Sequence, residues 1–172
     1  MESPDKQELR RSLSQARPQN SQGLTEQLLR LVRETEASTI ASYSPMDAEP
    51  DVRNFNAQVQ EIAQLLLPRI IGEDLEFASG PLSPGPFGIL QPEGVTVPLQ
   101  TIDLMIVPAL AVDSAGNRLG KGRGFYDRVL ERYHGASVAV VFDSEVLESV
   151  PHEPHDQKIS AIVTPSRTIV VG

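Results

Sequence analysis

The sequence of 172 residues contains no cysteine, so a disulfide framework and thiolate metal sites are both excluded. It has no apolar run long enough to span a bilayer. Its start, Met1-Glu2-Ser3-Pro4-Asp5, lacks the charged-then-apolar pattern of a signal segment. Positive charge is in deficit: the formal net charge is −8, the reverse of the basic balance expected of a general nucleic-acid binder. These absences predict a cytoplasmic protein that needs neither membrane nor nucleic acid, with a monomer as the default state. The length suffices for one domain, residues 1–172, with a sizeable core.

Periodicity organises the chain. Residues Lys6 to Arg17 read as a short helix with Leu9, Leu13 and Ala16 on one face, and Leu24 to Glu36 as a second helix carrying Leu24, Leu28 and Leu31. Ser38 to Tyr43 reads as a strand. Phe55, Val59, Ile62 and Leu66 fall at helical spacing, which predicts an amphipathic helix closed by Pro68. The stretch from Gly80 to Pro98, dense in proline and glycine, predicts a folded-back loop flanking a site. Apolar strands are expected at Ile102 to Pro108, Ser137 to Phe142, Ser160 to Thr164 and Thr168 to Val171, with a helix from Phe125 to Tyr133. Helices alternating with apolar strands predict an α/β fold, a three-layer sandwich around a mostly parallel sheet. Ligands of such sheets bind beyond the carboxyl ends of the strands.

A concentrated signal follows the strand at Leu104. In Arg118-Leu119-Gly120-Lys121-Gly122-Arg123-Gly124-Phe125-Tyr126-Asp127, three glycines alternate with two cations, and no acid intervenes between Asp113 and Asp127. Successive amides in such a loop form a concave anion site, and a local cationic pocket is what an otherwise acidic protein needs to hold a polyphosphate. Neither standard nucleotide fingerprint is present. Gly-x-Gly-x-x-Gly spacing is missing, and Gly122 stands where a P-loop has Ser or Thr. A flexible strand-to-helix turn would explain the glycines, but not the three cations, Tyr126 and Asp127.

Other residues carry two readings each. Asp127 suits the first turn of a helix and equally a magnesium site. Lys6 and Arg10 lie four apart on one helical face, which a solvated basic face also explains. His152-Glu153-Pro154-His155-Asp156 invites a zinc reading, but Pro154 keeps the histidines off adjacent turns of a regular helix and a full ligand set is lacking, so Asp156 is the more useful group there. Asp103, inside an apolar run, must sit at a strand end or be hydrogen-bonded.

Taken together, these residues resemble the 5-formyltetrahydrofolate cyclo-ligase family, also called methenyltetrahydrofolate synthetase. The resemblance covers nearly the whole chain. It rests on Asp103-Leu104 through Asp113, on Gly116-Asn117-Arg118-Leu119-Gly120-Lys121-Gly122-Arg123-Gly124-Phe125-Tyr126-Asp127, and on Lys6-x-x-Leu9-Arg10, Phe87 to Pro92 and Val150 to Asp156. Ala109 stands where the family commonly has glycine, Phe125 where it has a first tyrosine, and Gln91 where bacterial members often have glutamate.

The resemblance implies a fold like that of sugar-phosphate isomerases and CoA transferases. It implies ATP-dependent cyclisation of 5-formyltetrahydrofolate to 5,10-methenyltetrahydrofolate, with release of ADP and phosphate, through a phosphorylated formyl-imidate. ATP would be held by Lys6, Arg10, Arg118, Gly120, Lys121, Gly122, Arg123, Gly124, Phe125, Tyr126 and Asp127, with Lys6, Arg123 and Asp127 catalytic. Tyr43, Glu49, Phe125 and Tyr126 would meet the folate, and Asp127 and Asp156 would hold Mg2+. Two rivals remain at this point: a phosphate-gripping isomerase or transferase of the same broad fold, which needs neither the Lys6/Arg10 pair nor magnesium, and a binding protein that kept the scaffold.

Overall fold

The computed structural model describes residues 4–172. In chain order it forms α1 (Pro4–Gln15), α2 (Leu24–Thr35), β1 (Thr39–Ala41), α3 (Arg53–Val59), β2 (Gln64–Ile71), β3 (Asp74–Ala78), β4 (Leu82–Pro84), β5 (Leu90–Pro92), β6 (Leu104–Pro108), β7 (Ala111–Asp113), β8 (Arg118–Leu119), α4 (Phe125–Arg132), β9 (Ala136–Val140), β10 (Val146–Leu147), β11 (Ala161–Val163) and β12 (Thr168–Val170). Among the described residues no helix is long and apolar enough to cross a membrane.

The main sheet has the order β12-β11-β9-β6-β1-β2-β3. Its central strands run parallel, and both edges, β12 and β3, are antiparallel to their neighbours. Because side chains alternate along a strand, β6 serves both faces. Leu104 and Ile106 pack with Leu24, Leu28 and Val32 of α2 and with Phe55 and Val59 of α3. Met105 and Val107 pack with Val129 and Leu130 of α4. Helices therefore cover both faces, giving the three layers expected, and the continuous apolar runs of the inner strands are those of a sheet buried on both sides.

Asp103 lies just ahead of β6, where its carboxylate accepts from the Ser38 and Thr39 amides at 3.0 and 2.9 Å and from the Ser38 hydroxyl at 3.0 Å. Those donors hold its carboxyl below the ordinary range.

The helix expected over Phe55 to Leu66 is corrected. It ends at Val59, and residues 64–71 form β2, with Pro68 inside the strand. Phe55 and Val59 do face the core, but Ile62 is 48% exposed at the turn between the elements. The run Leu65-Leu66-Leu67 supplies strand side chains to both faces. Pairing with β1 stops near Leu66, where the Ser42 amide donates to the Leu66 carbonyl at 2.9 Å, so Pro68 falls where β2 has lost that neighbour. The proline-rich middle is irregular as expected, except that β4 and β5 pair into a short hairpin. β3 and the small sheet β10-β7-β8 were not predicted.

Candidate active site

A cleft of about 830 Å³ opens where β1, β2 and β6 end, within the usual range for small-molecule sites. Tyr43, Pro68, Pro108 and Ala109 bring those strands to its lining. The sequence-predicted residues converge on it without exception. Lys6 and Arg10 come from α1, Tyr43 and Glu49 from the segment after β1, Arg118 from β8, residues 120–127 from the glycine loop and the start of α4, and Asp156 from the irregular segment near the end.

The glycine loop joins β8 to α4. Gly122 (φ 103°) and Gly124 (φ 73°) adopt left-handed backbone that favours glycine, and Gly124 immediately precedes the first turn of α4, whose amide end lies at the cleft. Arg10 Nε donates to the Gly120 carbonyl at 2.6 Å, binding α1 to the loop. Burial pulls Arg10 below its ordinary value, against the opposing charges of Asp127 and Asp156. Lys6 Nζ meets Asp156 Oδ2 at 2.6 Å, and the same oxygen accepts the Glu153 amide at 2.8 Å. Burial would raise the Asp156 carboxyl, but Lys6 and that amide outweigh it and hold it low.

Arg118 differs from a phosphate-facing cation. Its side chain is 3% exposed, and its guanidinium donates to Asp127 Oδ1 at 3.0 Å and to the Pro108 carbonyl at 3.3 Å. This makes it a support for Asp127, whose side chain is 40% exposed. Arg123 stacks on the Phe87 ring, 4.0 Å from its centroid. Phe87 sits at the tip of the β4–β5 hairpin with φ 60°, unusual for a residue with a side chain.

The cleft also has apolar lining and one buried acid. Glu49 accepts the Met46 amide at 2.7 Å through Oε1 and faces Lys121 Nζ at 3.3 Å through Oε2. Tyr43 is buried and donates its hydroxyl to the Pro50 carbonyl at 2.7 Å, so it offers the cleft its ring. Burial, reinforced by the Glu49 charge, pushes the Tyr43 and Tyr126 hydroxyls above their ordinary values, so both stay neutral.

Glu153, His155 and Asp156 each offer a ligand atom, all within 4.8 Å of one another. Asp127 is outside that group but lines the same cleft. The carboxylates are hard oxygen donors of the kind magnesium takes, and Asp127 Oδ2 has no hydrogen bond among the described residues, so the donor chemistry fits a divalent cation.

Sequence reasoning missed Phe87, Met46, Ile70 and Leu75 as lining residues. Phe87, Glu153 and His155 lay in stretches already singled out, whereas Met46, Ile70 and Leu75 are brought in by topology and carry no local signal.

The model of the 5-formyltetrahydrofolate cyclo-ligase family matches residues 4–165. The 5-formyltetrahydrofolate cyclo-ligase of Mycolicibacterium smegmatis is 38% identical over 149 residues, 77% of this chain and 76% of that protein. The solved structure of the Aquifex aeolicus 5,10-methenyltetrahydrofolate synthetase matches with a TM-score of 0.83 at 28% identity, covering 96% of this chain and 92% of that one. The Mycoplasma pneumoniae 5,10-methenyltetrahydrofolate synthetase matches at 0.77 with 20% identity over 94% and 99%, a likeness of fold. On sequence and structure together, the chain belongs to the 5-formyltetrahydrofolate cyclo-ligase family.

Proposed function

We propose that this cleft binds ATP and 5-formyltetrahydrofolate side by side, and that the chain, acting as one domain, closes the folate ring at the expense of ATP. The observation that carries this reading is the meeting of Lys6, Arg10, the glycine loop and Asp127 in one cleft with apolar lining and the buried Glu49.

The chemical difficulty is the N-formyl group, an amide whose oxygen leaves poorly. Transfer of the γ-phosphoryl group to that oxygen gives an imidate and releases ADP. N10 then attacks the formyl carbon and gives up its proton, the carbon–oxygen bond breaks, and the former formyl oxygen departs within phosphate. Such transfers depend on positioning and charge stabilisation more than on covalent help from the protein.

Lys6, Arg10 and Arg123 supply cations to the phosphates, and the amides of 120–124 line the phosphate path. Arg118 holds Asp127 in place. Asp127 and Asp156 are the residues that would hold Mg2+, which when bound would neutralise charge on the phosphate oxygens. Glu49 is placed to accept from the amino-pyrimidine edge of the pterin, and the rings of Tyr43, Phe125 and Tyr126 form the wall along it.

The test is absorbance of the methenyl product from 5-formyltetrahydrofolate with and without MgATP. A signal that requires MgATP is expected, and its absence would favour a binding protein. Near-wild-type product formation by Lys6→Ala or Asp127→Ala would remove these residues from the proposed roles.

A further inference from the structure

Asp113 takes no part in the chemistry above, yet it is a buried charged side chain, 4% exposed, with no ion pair among the described residues. It ends β7, and its carboxylate accepts four hydrogen bonds. Oδ1 takes the amides of Ala115 and Asn117, both at 3.1 Å. Oδ2 takes Asn117 Nδ2 at 3.1 Å and the Val150 amide at 2.9 Å. Burial would raise this carboxyl, but the donors at Val150, Asn117 and Ala115 outweigh it and hold it below the usual carboxylate range, so it stays charged.

The bonds to Ala115 and Asn117 are what a tight turn between β7 and β8 asks of an aspartate. The bond to Val150 is not. It reaches a residue 37 positions away and fastens the start of the irregular segment that carries Glu153, His155 and Asp156. The far end of that segment is fastened to the same turn, because the Ile159 amide donates to the Gly116 carbonyl at 3.0 Å. Thus a segment with no regular structure of its own is tied at both ends to residues 113–117. The same turn runs directly into Arg118, which holds Asp127, and then into the glycine loop.

We propose that Asp113 is a positioning residue for the reaction: through Val150 it sets the place of Asp156 relative to Arg118, Asp127 and the phosphate loop. The proposal rests on the assignment of Asp156 and Asp127 to the ATP side of the cleft. Among the described residues no hydrogen bond joins this turn to Tyr43 or Glu49 on the 5-formyltetrahydrofolate side, so the effect is directional. Asp113 acts on ATP and on the divalent cation, and not on the folate.

Asp113→Asn keeps the shape but puts a donor where amides now donate. Steady-state methenyl formation by this variant should show the KM for ATP, and the Mg2+ concentration needed for half-maximal rate, raised by roughly tenfold to a hundredfold, the usual cost of losing a group that orients metal-side ligands. The KM for 5-formyltetrahydrofolate should stay within about twofold of wild type, as expected where Tyr43 and Glu49 share no hydrogen bond with residues 113–117. Asn117→Ala, which removes one of the four bonds and leaves the charge, should shift the same constants the same way by less. It serves as the reporter if Asp113→Asn does not fold. Asp103→Asn, a multiply bonded carboxylate at the other end of the sheet, should lower the melting temperature and move neither KM. In a double-mutant cycle with Asp156→Asn, the ATP effects should be non-additive. The proposal is overturned if Asp113→Asn lowers stability while leaving the KM for ATP unchanged, if both substrate KM values rise alike, or if the cycle is additive. If Asp156→Asn itself leaves the ATP constants unchanged, the reading of the site fails first and this proposal with it. If Asp156→Asn raises them and Asp113→Asn does not, only this proposal fails.

Discussion

Helices α1 and α2 have the same length, 12 residues each, and are fastened to the sheet by different forces. α2 buries Leu24, Leu28, Leu29 and Val32 against β1, β6 and β9. Among its described side chains, α1 offers only the half-buried Leu9 and Leu13. It is held instead by Lys6 on Asp156, by Arg10 on the Gly120 carbonyl, and, just beyond its end, by Arg17, which meets Glu145 at 2.9 Å and the Ala109 carbonyl at 2.7 Å. Apolar contact is non-directional and anchors a helix without fixing the atoms it presents. Polar contacts set register, and two of the three groups that fasten α1 are those proposed to meet phosphates. One helix serves the core. The other is a piece of the site whose attachment shares side chains with ligand binding.

Four measurements would break or sharpen that contrast. The largest expected effect is on turnover: Lys6→Ala should lower kcat/KM by about 10³-fold, near the cost of removing one well-placed charge donor, with little change in melting temperature. Leu28→Ala should do the opposite, lowering unfolding free energy by about 3 kcal/mol through the cavity it leaves while the kinetic constants of the folded fraction stay unchanged. If either variant showed the other's phenotype, the division between the helices would fall. A smaller effect is expected from hydrogen exchange: MgATP should raise the protection of α1 amides that open locally by about tenfold, while α2 amides gain only what ligand binding adds to global stability. Unchanged local opening of α1 would mean that α1 is not part of the site.

The smallest effect concerns pH. The Asp156 carboxyl is held low in the folded protein. A carboxyl lowered by folding adds stability that is complete above its unfolded value, about 3.9, and is lost as pH falls through the folded value. Between pH 8 and 5, α1 protection should therefore hold constant once intrinsic exchange is corrected, with undocking setting in only below about pH 4. Loosening of α1 near pH 6 would show that another group holds it.

The same contrast explains what was legible in the sequence. Contiguous signals were read: the apolar runs that became β6, β9 and β11, the α2 leucines, and the glycine loop running into α4. Failure came where one pattern satisfies two periods. Phe55, Val59 and Leu66 share a helical phase, yet Leu65 to Leu67 is also the unbroken run of a doubly buried strand, and only the neighbours β1 and β3 decide between them. β3, with Leu75 and Phe77 alternating over five residues, was too short to stand out. In the site, charged residues in motifs were readable one by one, but their partners were not. That Arg118 spends its guanidinium on Asp127 and Pro108, that Phe87 meets Arg123, and that Asp113 reaches Val150 all depend on topology that brings distant segments together.

The central claim is that the formyl oxygen is activated by phosphoryl transfer inside this cleft. Following that oxygen tests it most directly: 5-formyltetrahydrofolate carrying oxygen-18 in the formyl group is converted with MgATP, and the released phosphate is examined by mass spectrometry. The account predicts one labelled oxygen in each phosphate formed. Unlabelled phosphate, with the label found in water, would contradict it.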